Sequence, residues 1–199
     1  MIKAVLFDYG GVLSPGGRTI SGVYSRLLGI PEDKVELADL HVAYRRGDIS
    51  TEDFFIKLGE QYGKTVTAEK FLEYSDIFVK NEAVYKLAER LRKVGIKTGI
   101  LSNVYKISAE ILRKDGYYNG FDPVILSYEE GLAKPDPKFY MLAVDQLQMS
   151  PEEILFIDDQ EKCFPPARAL GMHTIRAENE KQIVADTLAL LKQENGLEL

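Results

Sequence analysis

Five short apolar runs recur along the chain, and longer amphipathic stretches separate them. The runs cover residues 4–7, 98–101, 124–126, 154–157 and 173–175. Each run is too short for a helix, and apolar runs without polar alternation indicate strands buried on both faces. Helical patterns near 82–94, 105–115, 137–148, 161–170 and 179–193 supply the crossovers between parallel strands. The sequence therefore predicts an α/β fold with a doubly wound parallel sheet, whose functional site lies at the carboxyl ends of the strands.

One long stretch, residues 19–80, contains no convincing strand pattern. Gly29-Ile30-Pro31 is typical of a helix end. Ser50 and Thr67 are each followed two residues later by a glutamate and then by an apolar pair, as at a helix start. We interpret 19–80 as an inserted four-helix cap placed to cover the site. Residues 1–18 and 81–199 then form the catalytic core.

Composition and charge exclude several classes of function. The 199-residue chain has a net charge of -6, which argues against nonspecific nucleic-acid binding. No apolar run approaches the roughly 18 residues of a membrane span, and the apolar start is too short for a secretory signal. The single cysteine, Cys163, permits no intrachain disulfide. We therefore expect a cytoplasmic protein with no membrane or nucleic-acid partner, present as a monomer or homodimer.

Polar residues follow three of the predicted strands. They are Asp8 after the first, Ser102-Asn103 after the second and Asp158-Asp159 after the fourth, and Lys134 lies in the loop before a helix. A lone aspartate at a strand end is most often a helix N-cap. Because the carboxyl ends of parallel strands meet at one edge, the combination instead predicts a reaction centre around the Asp8 carboxylate.

These segments resemble, in order, the four motifs of the haloacid dehalogenase superfamily. They read FDYGGVL at 7–13, LSN at 101–103, KPDP at 134–137 and FIDD at 156–159. The closest resemblance is to the branch of glucose-1-phosphate phosphatases and of the amino-terminal phosphatase domain of epoxide hydrolases. Residues 46–54 look like the cap of that branch. The resemblance implies a Rossmann-like core with a cap, and a phosphoric monoester hydrolase.

The resemblance also implies a role for each residue. Asp8 attacks phosphorus to form an aspartyl-phosphate. Repulsion between a carboxylate and a phosphate costs about 4 kcal/mol per charge pair at ~4 Å and an effective dielectric of ~20, so cations are required. Mg²⁺ is the natural ion, held by Asp8, the Gly10 carbonyl and Asp159, with Asp158 in its inner or outer shell. Lys134 adds positive charge, holds the carboxylates and the phosphate together, and is catalytic with Asp8 and Ser102. Ser102 and the Asn103 amide bind the phosphoryl oxygens, as Lys134 does.

Gly10 departs from the family pattern. Most phosphatases of this superfamily carry a second aspartate there as general acid and base, help that is typically worth 10²–10⁴-fold in rate. Some members of the same branch also have glycine. A substrate with a good leaving group, such as an anomeric or acyl phosphate, would tolerate glycine best. Cys163 also departs, standing where relatives have Asn or Asp, and is read as an inert buried thiol rather than a second nucleophile.

Substrate selection is the least constrained part of the pattern. Arg18, Arg45 and Arg46 are candidates for contacts with sugar hydroxyls or a second phosphate, or they lie on a solvated helix face. Tyr9 either shapes the pocket or packs in the core. We expect a small phosphorylated substrate, with sugar phosphates favoured. The alternatives are a 2-haloacid dehalogenase-like hydrolase, which also lacks the second aspartate but needs no metal, and a noncatalytic phosphate or protein binder.

Overall fold

A computed structural model describes residues 1–15, 20–73 and 78–197. Its sheet is entirely parallel, with the strand order β3-β2-β1-β4-β5. The strands are β1 (Ala4–Phe7), β2 (Lys97–Ser102), β3 (Val124–Leu126), β4 (Ile154–Asp158) and β5 (His173–Arg176). All five predicted strands are present, and the prediction of a doubly wound parallel sheet is confirmed. The chain runs outward from β1 to β3 and then returns to the other side of β1, so the strand order reverses beside β1, where such sheets form their sites.

Helices connect the strands and cover the sheet. Those after the first strand are α1 (Ile20–Leu28), α2 (Ala38–Arg45), α3 (Thr51–Tyr62), α4 (Ala68–Leu72), α5 (Glu82–Lys93), α6 (Lys106–Lys114), α7 (Ser127–Glu130), α8 (Pro137–Leu147), α9 (Phe164–Leu170) and α10 (Glu180–Asn195). The helix predicted at 161–170 begins at Phe164, because a single 3₁₀ turn, Glu161–Cys163, precedes α9. Pro165 and Pro166 then fall in the first turn of α9, where a missing N–H removes no helical bond.

Alternation along β1 divides the core into two layers. Val5 and Phe7 face a cluster that contains residues of α5, α6 and α10. Ala4 and Leu6 face the opposite cluster, which contains residues of α8 and α9. Because β1 is apolar on both faces, it lies at the centre of the sheet with helices on each side. The polar residue that follows it is thereby held at a rigid edge.

The four helices between β1 and α5 form their own hydrophobic cluster. Ser50 accepts a hydrogen bond from the Asp53 N–H, and Thr67 accepts one from the Lys70 N–H, so both predicted N-caps are confirmed. The cluster includes Tyr44, Phe54 and Tyr105, which stack on one another with ring centroids 4.3 to 6.3 Å apart. Tyr105 follows β2 in the core, so this cluster also joins the helices to the sheet. The cap boundaries at 19 and 80 stay predictions, and residue 19 lies outside the described residues.

Two contacts attach the end of α2 to the core. Ser127 donates a hydrogen bond from Oγ to the Arg45 carbonyl at 2.7 Å. Gly47 has a positive φ of 75°, and a Cβ atom there would lie 2.7 Å from the Tyr128 carbonyl oxygen. A side chain at Gly47 would therefore separate the two surfaces. These contacts set where the end of α2 stands relative to the strand ends.

Within the residues that the structure describes, every helix is too short or too polar to span a bilayer.

Candidate active site

The register of the sheet brings the predicted polar residues to one edge. Phe7 pairs with Ile100 on one side and with Ile157 on the other. Asp8, which follows Phe7, is therefore level with the last residue of β4, Asp158, and one step below the last residue of β2, Ser102. The Asp8 N–H extends the ladder by donating to the Ile157 carbonyl at 2.8 Å. The three side chains meet because these residues lie within one step of one another along adjacent strands.

Lys134 joins two of these strand ends. Its ammonium nitrogen lies 2.9 Å from Oδ1 of Asp8 and 2.5 Å from Oδ2 of Asp158. Ser102 donates from Oγ to the same Asp8 oxygen at 2.7 Å. All four residues are buried. Both donors bind Oδ1, and no described residue donates to Oδ2, so the carboxyl group is oriented while one oxygen stays available.

Asn103 holds the loop that carries Lys134. Its side-chain amide donates to the Lys134 carbonyl at 2.8 Å, and its Oδ1 accepts from the Lys134 N–H at 2.8 Å. This pair of hydrogen bonds aligns the lysine backbone as a neighbouring strand would. The Asn103 side chain therefore positions Lys134, a role that sequence reasoning missed because the partner lies 31 residues away.

The buried charges shift one another's protonation. Burial raises the pKa of Asp8 to about 6; Lys134 opposes this shift and Asp158 adds to it. For Lys134, burial lowers the pKa, but Asp8 and Asp158 outweigh burial and hold the pKa above its ordinary value. Burial, and then Asp158, raise the pKa of Asp159. One lysine is thus insufficient to neutralise the acidic groups around it.

The same acidic groups have the geometry of a cation site. Asp8, Asp158 and Asp159 each offer a carboxylate oxygen, and these oxygens lie within 4.8 Å of one another. Oδ1 of Asp159 is buried and has no hydrogen-bond partner among the described residues. An unpaired buried carboxylate oxygen beside two other carboxylates is costly without a cation. The residues present therefore fit a hard divalent ion with oxygen ligands.

Gly11 makes room for Asp159, a requirement that the sequence alone did not reveal. A Cβ atom at Gly11 would lie 2.6 Å from Cγ of Asp159, and Gly11 has a φ of 75°. Gly10 differs, since a Cβ atom there would meet nothing within 4 Å. The absence of a side chain at Gly10 is thus a chemical feature of the site and not a steric requirement.

Two further candidate residues from the sequence, Tyr9 and Cys163, are buried. Tyr9 packs edge-on against Tyr117 and Tyr118, in the cluster that contains α5 residues. Cys163 is a free thiol, 1% exposed. Burial raises its pKa to about 12, although Lys134 opposes the shift. A thiol that stays protonated at neutral pH is a poor nucleophile, as the reading of Cys163 as an inert buried group expects.

Two of the three candidate arginines lie near this centre. A cavity of about 310 Å³ is lined by Asn103 and Lys134 on the core side and by Arg45 and Arg46 on the α2 side. Arg46 is exposed, with its Nε 3.8 Å from an Asp48 carboxylate oxygen. Arg18 lies outside the described residues.

The comparisons with known proteins agree with the fold. Residues 2–171 match the model of the haloacid dehalogenase-like hydrolase family. This chain belongs to that family, and the prediction of a hydrolase of this type is confirmed.

Similar proteins cover most of the chain. It is 30% identical over 205 residues to acyl-CoA dehydrogenase family member 10 of Mus musculus, spanning 95% of this chain but only 19% of that protein. It is 27% identical over 193 residues to a D-ribitol-5-phosphate phosphatase of Bacteroides thetaiotaomicron, covering 90% and 93% of the two chains. A haloacid dehalogenase family enzyme of B. thetaiotaomicron, solved with magnesium and inorganic phosphate, superposes with a TM-score of 0.75 at 26% identity, covering 90% of this chain and 96% of that chain.

Proposed function

We propose that this chain is a Mg²⁺-dependent phosphatase that hydrolyses a small phosphate monoester, with sugar phosphates as the leading substrate class. The observation that carries the proposal is the junction of Asp8, Lys134 and two further carboxylates at the edge of the sheet. The similarity to a D-ribitol-5-phosphate phosphatase and to an enzyme solved with magnesium and phosphate supports both the reaction and the ion.

Asp8 is the nucleophile of the proposed reaction. One of its carboxylate oxygens attacks phosphorus, the bond between phosphorus and the leaving oxygen breaks, and an aspartyl-phosphate remains. Water then attacks that phosphorus and restores the carboxylate. Ser102 and Lys134 hold Oδ1, so the carboxyl group is oriented before substrate arrives. Ser102 and the backbone N–H of Asn103 lie at the end of β2, where they would contact phosphoryl oxygens.

Asp8, Asp159 and the Gly10 carbonyl would hold Mg²⁺, with Asp158 beside them. When bound, the ion supplies positive charge against the repulsion between carboxylate and phosphate, which is worth about 4 kcal/mol per charge pair at ~4 Å and an effective dielectric of ~20. A loss of that size corresponds to roughly three orders of magnitude in rate. Both oxygens of Asp158 already accept hydrogen bonds. Oδ2 accepts one from the Lys134 ammonium group, and Oδ1 accepts one from the Gln160 N–H at 2.8 Å. Asp159, whose Oδ1 has no partner among the described residues, is the better ligand.

Gly10 limits which esters react well. The leaving oxygen gains negative charge as its bond to phosphorus breaks, and Gly10 offers no side chain to protonate it. An anomeric or acyl phosphate, whose leaving group is stable as an anion, needs this proton least. The prediction is overturned if simple alkyl phosphates are hydrolysed as fast as anomeric phosphates.

The test is phosphate release from p-nitrophenyl phosphate in the presence of Mg²⁺. EDTA and Asp8→Asn should each abolish activity, whereas Asp145→Asn, an exposed aspartate of α8, should leave it unchanged. Excess Mg²⁺ should restore the EDTA-treated enzyme and should not restore Asp8→Asn. A panel of sugar, anomeric and alkyl phosphates then ranks the substrates.

Two other outcomes would replace the proposal. Chloride release from 2-chloropropionate that survives EDTA would identify a dehalogenase, which the glycine at position 10 also suits. Binding of inorganic phosphate without turnover of any ester would identify a noncatalytic binder. The predicted cytoplasmic location and the monomeric or homodimeric state stay predictions.

A further inference from the structure

The cavity beside the catalytic junction has two chemically different walls. Its core wall contains Asn103 and Lys134, and its opposite wall is the end of α2, with Arg45 and Arg46. Lys162, which is exposed, lies at its rim. An ester whose phosphate reaches Lys134 would extend its leaving group toward α2, because Lys134 and Arg45 line the same space.

Arg45 is held in place without a counter-charge. Its guanidinium carbon lies 5.3 Å from the centroid of the Tyr105 ring, and its backbone carbonyl is anchored by Ser127. Its Nε is buried and has no hydrogen-bond partner among the described residues. Within those residues no carboxylate lies within 4.0 Å of its guanidinium. A positioned guanidinium that has only an aromatic partner and no carboxylate partner is suited to contact an anion.

The side chains around Arg45 do not supply the missing negative charge. His41, one turn earlier on α2, is neutral, because burial and then Arg45 lower its pKa to about 3. Tyr105 stays protonated, because burial raises its pKa to about 12 against the effect of Arg45. Tyr24 is fully buried against His41, and its pKa is also raised by burial. The surroundings of Arg45 are therefore aromatic and uncharged.

The balance of charge in the cavity is positive. Lys134 is matched by Asp8 and Asp158, so it adds no surplus there. Asp136 is the acidic residue of the lining, and its Oδ1 caps α8 by accepting the Lys138 N–H at 2.9 Å. Arg45 and Lys162 remain without an ion pair among the described residues. Positive charge at the far wall attracts an anionic group on the leaving portion of the substrate.

We propose that the preferred substrate carries a second anionic group, a phosphate or a carboxylate, which Arg45 binds with help from Lys162. This inference rests on the proposed phosphatase function and narrows its substrate class. The reacting phosphate occupies the junction at Asp8, and the second anion lies at the end of α2. A monophosphate of an uncharged sugar would leave the Arg45 guanidinium without an anionic partner and would bind more weakly.

The test compares substrates that differ by one anionic group. Glucose 1,6-bisphosphate is paired with glucose 1-phosphate, and 3-phosphoglycerate with glycerol 3-phosphate. Phosphate release is measured for the wild type, Arg45→Met and Arg45→Lys. Arg90→Met, an exposed arginine of α5, is the matched control. Dissociation constants for the same compounds are measured by calorimetry on Asp8→Asn, so that binding is read without turnover.

In at least one pair, we expect kcat/KM to be at least about tenfold higher for the member with two anionic groups than for the member with one. Arg45→Met should remove most of that preference, chiefly through KM, as for loss of one charge-assisted hydrogen bond. Arg45→Lys should restore part of it, and Arg90→Met should retain it. The pair that shows the preference tells whether the second anion is a phosphate or a carboxylate.

Equal kcat/KM within both pairs, or a preference that persists in Arg45→Met, overturns the inference. The proposed function is unaffected by that result if the enzyme hydrolyses p-nitrophenyl phosphate. Absence of phosphate release from every ester overturns the proposed function. The binding constants then still decide the inference: tighter binding of the second anion that disappears in Arg45→Met supports it, and equal binding overturns it.

Discussion

The ammonium nitrogen of Lys134 lies 2.9 Å from Oδ1 of Asp8, and both side chains are buried. The same nitrogen contacts Asp158, so one cation joins the carboxyl ends of two adjacent strands. Ser102 completes the arrangement by binding the same Asp8 oxygen. The Asp8 carboxyl group is therefore oriented by groups that also neutralise part of its charge.

Lys134→Met should destabilise the metal-free protein. Without the lysine, Asp8 and Asp158 repel each other in a buried site, and breaking a buried ion pair typically costs about 3–5 kcal/mol. Urea unfolding should show a loss of about 3 kcal/mol, and Mg²⁺ should recover more stability in this variant than in the wild type. Lys138→Met, an exposed lysine of α8, should unfold like the wild type. If Lys134→Met had the same urea midpoint as the wild type when both lack Mg²⁺, the ion-pair assignment would be contradicted.

His41→Phe should change how stability depends on pH. Burial, and then Arg45, lower the folded pKa of His41 to about 3, below its unfolded value of about 6.5. The folded state thus binds fewer protons between these values, so the contribution of neutral His41 is present above pH 6.5 and is lost as the pH falls. Below pH 6 the free energy of unfolding of the wild type should fall by up to about 1.4 kcal/mol per pH unit more than that of the variant.

Urea midpoints at pH 7, 6, 5 and 4.5 measure this difference between the two proteins. Asp8 acts in the opposite direction, because its pKa is raised to about 6 and its protonation favours the folded state as the pH falls. That contribution is present in both proteins and cancels in the comparison. Parallel pH profiles would show that His41 is not held neutral in the folded protein.

Local patterns in the sequence were sufficient to predict the five strands of the sheet and the polar residues that follow them. Apolar runs of three or four residues marked all five strands, and the polar residues that follow them meet because parallel strands share an edge. Contacts made across the fold left no such signal. The paired hydrogen bonds between Asn103 and Lys134, and the burial of His41 against Tyr105, join segments that lie 31 and 64 positions apart. A periodicity or a motif does not carry that information.

Gly11→Ala should weaken Mg²⁺ binding. The added Cβ atom would lie 2.6 Å from Cγ of Asp159, and the residue has a φ of 75°, so the carboxylate must move or the loop must strain. We expect a Mg²⁺ dissociation constant at least about tenfold higher by calorimetry and a stability loss of about 1–2 kcal/mol. Gly10→Ala is the matched comparison, because its Cβ meets nothing within 4 Å, and it should show a smaller effect on both. Equal effects of the two substitutions would rule out a special role for the Gly11–Asp159 contact.

Gly10→Asp should speed the hydrolysis of esters with poor leaving groups. The position has free space for a side chain, and a carboxyl group there would lie two residues from Asp8. General acid help is typically worth 10²–10⁴-fold, and an unoptimised acid should supply less than that range. We expect kcat for glycerol 3-phosphate to rise about tenfold or more. The rate with p-nitrophenyl phosphate should change little, because its leaving group needs no proton.

The ratio of these two rates separates proton transfer from other effects of the new side chain. A carboxylate at position 10 adds negative charge near Asp8 and Asp159, which could change Mg²⁺ affinity, so both substrates are assayed at saturating Mg²⁺. Gly10→Asn, which has the same shape without an acid, should leave the ratio near the wild-type value. A rise confined to Gly10→Asp and to the alkyl phosphate would show that the glycine removes proton transfer and spares the rest of the site. If both substrates respond alike, leaving-group protonation is not what limits the wild-type enzyme.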